Sequence, residues 1–463
     1  MIRPDGQPIL TAAQIRAAED AVIATGTSVE ALMRRAGEGI AAAVRRLGAR
    51  AEVLIVCGPG NNGGDGYVAA QALQRNGIPV RICAEGEPRT DAARFARSAW
   101  TGPVAMLDTA RPAPILLDCL FGTGLSRPLP AETDAALARL AKAATLLIAA
   151  DLPSGIDADT GAVPAWIEER PATLTLALGA LKPAHVLEPA ASACGTTRLI
   201  DLGLSAQPHA VRHAANPDLP HPGPDAHKYT RGMIAIVVGA MEGAARLAGI
   251  AALRSGAGYV ALYGGSGHGG PDALVHRPYD AEALSDRRIG AILIGPGLGR
   301  TDEGRGRLEA LTAADTHALV IDGDALHLLD PDALANRRRP VILTPHAGEF
   351  RALFGDLPGS LIDQAQAASR RSGAIVVLKG PTTVVASPND TIVHPHGNPW
   401  LSTAGTGDVL AGTIAAQIAY AGTDPLAAAS AGVWLHARAA RRLGASFIAD
   451  DLANALTPVR AEA

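Results

Sequence analysis

Apolar residues along this chain fall into short continuous runs that alternate with amphipathic segments. Residues 9–48 carry apolar positions at helical spacing and predict two helices, with Thr11 and Ser28 as their N-caps. Continuous apolar runs separated by helical segments are typical of a parallel sheet covered on both faces. The strand-like runs of this first series are 52–57, 79–84, 114–120, 145–153, 173–178 and 198–203.

The alternation breaks at residues 213–229, which hold four prolines, three histidines and no apolar period. A second α/β series follows, and its last long helix is expected to run from about residue 408. No period of 20–50 residues repeats, so we predict two unrelated α/β domains, residues 1–212 and 224–463. The strands expected in the second series are 233–240, 259–264, 290–297, 317–324, 340–345, 374–380 and 382–386.

Composition narrows the classes of function. The 463 residues are 48% hydrophobic, and 41 basic against 45 acidic side chains give a net charge of −4. That balance argues against binding to nucleic acid or to an anionic membrane surface, and no apolar run approaches the roughly 20 residues of a membrane span. Reduced thiols, and hence a cytoplasmic location, are expected because the four cysteines show no CxxC spacing. They are Cys57, Cys83, Cys119 and Cys194.

A glycine loop at residues 58–66 follows the first strand and opens a helix, where α/β sheets bind anions and nucleotides. Its glycines match the dinucleotide fingerprint, while Asn61, Asn62 and Asp65 add polar groups that the fingerprint does not require. A glycine-rich turn with Asx residues is the alternative. Asp118, Asp151 and Ser154 follow two other strands, and parallel strands would gather Asn62, Asp118 and Ser154 as oxygen ligands for a hard cation.

The second constellation lies where the long helix of the second series begins. Gly405 and Gly407 would let backbone amides approach phosphate oxygens, and Asp408 in the first turn could accept a hydroxyl proton. An ordinary capped helix is the alternative, and no GxxxxGK[ST] loop occurs. Asp322 and Asp324, at another strand end, are candidates for a magnesium or phosphate neighbourhood, or equally for stabilising a turn.

Several motifs together resemble one family. GPGNNGGDG, LLDCLFGTGLSRP and DLPSGIDADTG are similar to the epimerase domain of the bifunctional NAD(P)H-hydrate repair enzymes. LTPHAGEF, LKGPTT, GPGLG, AALRSGAG and the helix opening at 405–408 are similar to its ADP-dependent dehydratase domain. The resemblance implies an α/β protein of two domains, an N-terminal Rossmann-like three-layer sandwich and a C-terminal ribokinase-like domain. It also implies R/S epimerisation of NADHX and NADPHX, and ADP-dependent dehydration of the S epimer to NAD(P)H, AMP and phosphate.

The resemblance also implies roles for individual residues. Asp151 would contact the reacting ring of the hydrate and, on its chemistry, move protons there, while Asp408 would deprotonate the C6 hydroxyl. K⁺ would be bound by Asn62, Asp118 and Ser154. The hydrated nucleotide would contact, in the first domain, Asn61, Asn62, Gly63, Gly64, Asp65, Gly122, Thr123, Gly124, Leu125, Ser126, Arg127 and Pro128 and, in the second, Ala244, Gly297 and His346. ADP would be bordered by Lys379, Gly380, Pro381, Thr382, Thr383, Asn398, Gly405, Thr406 and Gly407.

Mg²⁺ is expected with ADP, because the charge of the transferred phosphoryl group must be neutralised. Two other functions stay open at this stage. One is a ribokinase-like small-molecule kinase fused to a nucleotide-binding domain, which would release a stable phosphorylated product. The other is a non-catalytic binding role for the first domain. The preference between NADHX and NADPHX and the oligomeric state also stay open, a homo-oligomer being compatible with the sequence.

Overall fold

A computed structural model describes residues 1–48, 50–124, 128–204, 211–420 and 422–463. The chain divides into two compact units, Met1–His213 and Ala214–Ala463. Within the described ranges, no helix is both long enough and apolar enough to cross a membrane.

The first unit is built on a parallel sheet, as the continuous apolar runs predict. Its first two helices begin where expected, because the Thr11 side chain accepts a hydrogen bond from Gln14 N and that of Ser28 accepts one from Ala31 N. The helices are α1 (Ala12–Ala24), α2 (Val29–Leu47), α3 (Asn61–Arg75), α4 (Asp91–Ser98), α5 (Ala131–Ala143), α6 (Ala165–Glu168) and α7 (Ala190–Cys194). The strands are β1 (Pro8–Ile9), β2 (Val53–Cys57), β3 (Val80–Ala84), β4 (Val104–Met106), β5 (Ile115–Cys119), β6 (Leu146–Ala150), β7 (Leu174–Leu178), β8 (Thr196–Ile200) and β9 (Val211–His213).

Strand order in this sheet is β4-β3-β2-β5-β6-β7-β8, with every neighbouring pair parallel. Apolar side chains from α2, α3 and α4 pack on one face, and those from α5, α6 and α7 pack on the other, which gives three layers. The order reverses between β2 and β5. A crevice outside the carboxyl ends of the strands is the usual ligand site at such a switch point.

The second unit has a mixed sheet of order β18-β17-β16-β15-β14-β13-β10-β11-β12. Strands from β12 through β16 pair in parallel, and β16, β17 and β18 form antiparallel hairpins. Its switch point lies between β10 and β13. The strands are β10 (Met233–Val237), β11 (Tyr259–Tyr263), β12 (Leu274–Arg277), β13 (Ile289–Ile294), β14 (Ala318–Ile321), β15 (Val341–Leu343), β16 (Ile375–Leu378), β17 (Thr383–Ala386) and β18 (Thr391–His394).

The helices of this unit differ from the prediction at the carboxyl end of the chain. The helix expected from about residue 408 begins at Thr406 and is not the last one. Asp424 caps a new helix whose first residue is Pro425, and Gly444 ends it, so two more helices follow. The helices are α8 (Glu242–Arg254), α9 (Asp302–Ala314), α10 (Asp324–Leu328), α11 (Ala347–Phe354), α12 (Leu361–Ser372), α13 (Thr406–Ile418), α14 (Pro425–Leu443) and α15 (Ala449–Glu462).

Candidate active sites

The glycine loop of the first unit joins β2 directly to α3. A Cβ atom on Gly58 would lie 1.7 Å from the Leu120 carbonyl oxygen, and one on Gly63 would lie 1.9 Å from the carbonyl oxygen of Gly58. Neither position has room for any other side chain. Two of the fingerprint glycines therefore bring loop, helix and neighbouring strand into close contact, whatever ligand the loop binds.

Polar side chains in the first turns of α3 differ in how they are bonded. Asn61 is exposed, and its Oδ1 accepts a hydrogen bond of 2.7 Å from Thr90 Oγ1. Both amide atoms of Asn62 are buried without a partner among the described residues. Asp65 is 7% exposed, and no described residue bonds to its carboxyl group. Burial and the nearby carboxylates of Asp151 and Glu19 raise the pKa of Asp65 well above its usual value.

Asp118 and Ser154 form a buried pair at the ends of β5 and β6. Ser154 Oγ donates to Asp118 Oδ1 at 2.6 Å, and Ser154 N donates to Oδ2 at 2.7 Å. Leu120 N also donates to Oδ1, and Phe121 N donates to Ser154 Oγ at 2.8 Å. Burial raises the pKa of Asp118, and these hydrogen bonds oppose the increase. The prediction that Asp118 and Ser154 meet at one sheet edge is therefore confirmed for this pair.

Asp151 directly follows β6 and adopts a left-handed backbone conformation with φ of +67°. Its Oδ2 accepts hydrogen bonds from Thr123 N at 3.0 Å and from Thr123 Oγ1, and its Oδ1 is paired with the ammonium group of Lys182. Burial opposes ionisation, but Lys182 and Thr123 outweigh it and lower the pKa of Asp151 to about 2. Asp151 is therefore a buried carboxylate at neutral pH.

Sequence reasoning missed the two residues that hold Asp151. Lys182 is 1% exposed and His185 is 2% exposed; both follow β7, Lys182 as the N-cap and His185 as the last residue of the short 3₁₀ turn at 183–185. His185 Nε2 lies 2.8 Å from the carbonyl oxygen of Asp151. A lone lysine after an apolar strand was the available signal, since a buried lysine needs a buried acid.

The loop after β5 closes around the same carboxylate. A Cβ atom on Gly122 would lie 2.8 Å from Asp151 Oδ2, so glycine leaves this oxygen open on that side. Gly124 and Pro128 are exposed. The predicted contacts Leu125, Ser126 and Arg127 lie outside the described residues.

In the second unit, the start of α13 presents free backbone amides. Gly405 is the N-cap with φ of +89° and makes no side-chain capping bond. Thr406 Oγ1 lies 2.7 Å from the carbonyl oxygen of Leu401, and His436 Nε2 lies 2.9 Å from the carbonyl oxygen of Thr406, which fixes the turn. A Cβ atom on Gly407 would meet nothing closer than Lys379 Nζ at 3.6 Å. The space beside Gly407 is therefore open, unlike that beside Gly58 and Gly63.

Asp408 faces a charged network at the ends of β14, β15 and β16. Lys379 Nζ lies 2.9 Å from Asp322 Oδ1 and 3.8 Å from Glu349 Oε2, and Thr344 Oγ1 donates to Asp322 Oδ1 at 2.7 Å. Burial and the Asp322 carboxylate raise the pKa of Asp408 to about 6, against the opposing charge of Lys379. Burial lowers the pKa of Lys379, but the neighbouring carboxylates outweigh it and raise that pKa. Glu349 and Thr344 were not predicted as site residues.

Other predicted residues of this unit have structural partners of their own. His346 caps α11, its Nδ1 accepting from Gly348 N at 3.0 Å, while its side chain is 60% exposed. Asn398 Nδ2 donates to the carbonyl oxygens of Ala440 at 3.0 Å and Gly444 at 2.8 Å. Neither pattern excludes ligand binding, and these roles stay predictions.

The strand-end segment around Gly297 and Asp324 is tightly built. A Cβ atom on Gly297 would lie 2.3 Å from the carbonyl oxygen of Met241. Asp324 accepts from Gly299 N at 2.9 Å and from Arg300 Nε at 3.1 Å, which favours the turn-stabilising role for this aspartate. Ala244 lies half-buried in the first turn of α8, beside this segment.

The loop bordering the predicted nucleotide site is partly open. Gly380 and Pro381 are exposed, Thr382 is buried and Thr383 is half-buried. Across the described ranges, no group of three or more His, Cys, Asp or Glu side chains is placed to hold a metal ion.

Comparison with known proteins identifies both halves of the chain. Residues 29–184 match the family model of the YjeF-related protein N-terminus, and residues 234–458 match that of NAD(P)H-hydrate dehydratase. A bifunctional NAD(P)H-hydrate repair enzyme from Mycobacterium tuberculosis is 35% identical over 428 residues, 88% of each chain. This chain belongs to the bifunctional NAD(P)H-hydrate repair enzyme family.

Members of this family occur in distant bacteria. The Escherichia coli repair enzyme is 33% identical over 465 residues, covering 93% of this chain and 88% of its own. Among solved structures, an ADP/ATP-dependent NAD(P)H-hydrate dehydratase from Bacillus subtilis, co-crystallised with ATP and Mg²⁺, is 29% identical. It aligns with a TM-score of 0.45 over 53% of this chain and 94% of its own.

Membership settles the activities that the motifs predict. The protein is an NAD(P)H-hydrate epimerase and dehydratase, which repairs hydrated nicotinamide cofactors. The two alternatives, a ribokinase-like small-molecule kinase fused to a nucleotide-binding domain and a non-catalytic first domain, are therefore wrong as descriptions of this chain. The two sites described above lie within the two matched ranges, with Asp151 in the first and Asp408 in the second.

Proposed function

We propose that Asp408 is the general base of the dehydratase and that the amides at the start of α13 bind the phosphates of ADP. The observation that carries the proposal is a half-buried carboxyl group with a pKa of about 6, in the first turn of a helix whose N-terminus is open at Gly407. A base with a pKa near the working pH is ionised and still takes a proton effectively. The helix N-terminus favours the negative charge of the phosphates.

The chemistry follows from the poor leaving ability of hydroxide. Asp408 removes the proton of the C6 hydroxyl, and the alkoxide attacks the terminal phosphoryl group of ADP, which releases AMP. The C6–O bond then breaks, phosphate leaves, and loss of a C5 proton forms the ring double bond of NAD(P)H. Lys379 lies close enough to Gly407 to neutralise phosphoryl charge during the transfer.

Magnesium fits this site as part of the nucleotide. Asp322 and Asp324 already pair with Lys379 and Arg300, so the described residues offer no cage of free carboxylates. Mg²⁺ commonly binds through substrate phosphates and water, and there it supplies charge neutralisation. We therefore expect it to enter with ADP.

In the first unit we propose that Asp151 is the epimerase base and that Asp65 hydrogen-bonds the substrate as a neutral acid. The low pKa of Asp151 keeps it ionised, and the raised pKa of Asp65 favours its protonated form. Two carboxyl groups with opposite protonation states are suited to accept and donate protons at the hydroxyl-bearing C6 centre as it epimerises. The hydrated nucleotide would contact the segments 61–65 and 122–128.

Potassium would lie between α3 and the ends of β5 and β6. The unpartnered amide oxygen of Asn62 and the oxygens of Asp118 and Ser154 are the hard donors that such a cation prefers. A bound cation would also give the buried Asn62 amide the partner it lacks. Its chemistry would be to hold the loop and the substrate in place.

An equilibrated mixture of R and S hydrates tests both assignments. With ADP and Mg²⁺, the mixture should convert completely to NAD(P)H. The absorbance of the reduced nicotinamide measures this conversion. Replacing K⁺ by Na⁺ should slow only the late phase, which depends on epimerisation. Conversion that stops at the S fraction with K⁺ present would refute the epimerase assignment, and a stable phosphorylated product would refute the dehydratase chemistry. A cytoplasmic location and homo-oligomer formation stay predictions for fractionation and light scattering.

A further inference from the structure

We propose that Lys182 is a positioning residue of the epimerase site, which fixes the Asp151 carboxylate so that only its Oδ2 atom faces the substrate. The proposal rests on the proposed role of Asp151. None of the sequence motifs assigns a role to Lys182, and the fold alone does not require a lysine inside this unit.

Each oxygen of Asp151 accepts two hydrogen bonds from described residues, but only Oδ1 has a charged donor. Oδ1 accepts from the Lys182 ammonium and from Leu178 N at 3.2 Å. Among the described residues, the donors to Oδ2 are the neutral Thr123 N and Thr123 Oγ1, and this oxygen faces the space that a Cβ atom on Gly122 would occupy at 2.8 Å. Because its donors are neutral and it borders the space beside Gly122, Oδ2 is the oxygen placed to take a proton.

Lys182 acts from behind the carboxylate. Lys182 is 1% exposed, and its Nζ donates a second hydrogen bond to the carbonyl oxygen of Leu178 at 2.8 Å. An ammonium group enclosed in this way has no path to a ligand, so it acts through Asp151. Burying the Lys182 ammonium costs free energy unless it is paired with an opposite charge. Its pairing with Asp151 keeps that carboxylate ionised although it is shielded from water.

His185 holds the backbone of the same residue. Lys182 N donates to His185 Nδ1 at 2.8 Å, so Nε2 carries the ring proton and donates to the carbonyl oxygen of Asp151 at 2.8 Å. Burial and the charge of Lys182 lower the pKa of His185 to about 4, which keeps the ring neutral. One turn thus fixes both the side chain and the left-handed backbone of Asp151.

Among the described residues of α1 and α3, the ionisable groups that interact with Asp151 are acidic. Glu19 on α1 and Asp65 on α3 interact with it, while Lys182 and the neutral His185 face it from the turn after β7. Without Lys182, the described ionisable groups closest to the Asp151 carboxylate would be the carboxyl groups of Glu19 and Asp65 and the neutral His185 ring. The carboxylate would then take a proton at a much higher pH.

The experiment compares K182M with K182R in the full chain. K182M should lower epimerase kcat at pH 7 about 100-fold with KM changed less than about 3-fold, and its rate should recover partly as the pH rises. K182R keeps the charge and should keep the acid limb of the wild-type pH profile. Dehydration should stay unchanged in both. Lys142→Met, at the exposed end of α5, is the matched control.

Two results would overturn the proposal: a K182M profile that matches the wild type, or a K182R acid limb displaced upwards. If K182M does not fold, the K182R profile still decides, since a purely structural lysine predicts loss of rate without retention of the acid limb. The variant D151N separates failure of the Lys182 proposal from failure of the proposed role of Asp151. Full epimerase activity in D151N would remove the proposed function, whereas an inactive D151N with an unaffected K182M removes only the role of Lys182.

Discussion

Asp151 and Asp408 occupy equivalent places in two unrelated units, each where an element ends or begins at the ligand edge of a sheet. Their environments push them in opposite directions. A buried lysine lowers the pKa of Asp151 to about 2, whereas burial and the Asp322 carboxylate raise that of Asp408 to about 6. The difference indicates that the protonation of a buried carboxyl group is set by the charges that share its burial, not by burial alone.

The largest expected effect is a crossed loss of activity. D408N should lower dehydration by at least about 10³-fold and leave epimerisation intact, because an amide cannot accept the hydroxyl proton. D151N should do the reverse. Both rates are read from one mixture of hydrates, by chromatography of the epimers and by absorbance of NAD(P)H. A variant that lost both activities would show that the two sites are not independent.

The same two substitutions should affect stability with opposite signs. D151N leaves the Lys182 ammonium buried without its partner, so the free energy of unfolding of the first unit should fall by about 3–5 kcal/mol. D408N removes a carboxylate whose ionisation is less favourable in the folded than in the unfolded state. The free energy of unfolding of the second unit should therefore rise by about 1–3 kcal/mol at pH 7.

Chemical denaturation of each variant, followed by a probe in each unit, measures these changes. The sign depends on pH as well. The stabilisation from Asp151 is present above its unfolded pKa of roughly 3.9 and is lost as the pH falls towards 2. The penalty from Asp408 grows as the pH rises from about 4 through 6. Equal shifts of the same sign in both variants would contradict the comparison.

The apolar pattern predicted the fold well because both sheets are mostly parallel and buried. It missed β1, β4, β9, β12 and β18, for different reasons. β1 and β9 are only two and three residues long. β4 is three residues long and largely exposed, and β12 is a short edge strand after a glycine-rich loop. β18 follows the turn residues 387–390, whose Ser-Pro-Asn-Asp sequence is a hairpin signal that periodicity alone does not use.

The site was predictable only where a motif carried it. Asp151 and Asp408 stand at the ends of recognisable segments, but Lys182 and Glu349 come near them only through strand order. The first glycine loop also misled in part. Gly58 and Gly63 are required for packing, whereas in the second loop Gly407 has room for a side chain.

A substitution at Gly407 can therefore test the second site without disturbing the packing of its loop. G407A should fold normally, because its Cβ atom would have no contact shorter than 3.6 Å. It should weaken ADP binding about tenfold, since the methyl group would lie between the amides and the phosphates. Isothermal titration with ADP measures this, with Gly306→Ala, a helix position open to solvent, as the matched control. Unchanged affinity in G407A would remove the phosphates from this helix start.

The smallest effect separates the two carboxyl groups within the unaltered protein. Dehydration kcat/KM should fall tenfold for each unit of pH below about 6, because a protonated Asp408 cannot act as a base. Epimerisation should show no such limb at this pH, since Asp151 stays ionised down to a pKa of about 2. At pH 5 the dehydratase should therefore consume the S epimer more slowly, while R and S still interconvert at the rate seen at pH 7. If both activities declined together between pH 7 and 5, a shared change such as unfolding would explain the loss, and circular dichroism at pH 5 would reveal it. If dehydration alone persisted, the charges around Asp408 would not set its protonation, and the contrast with Asp151 would fail.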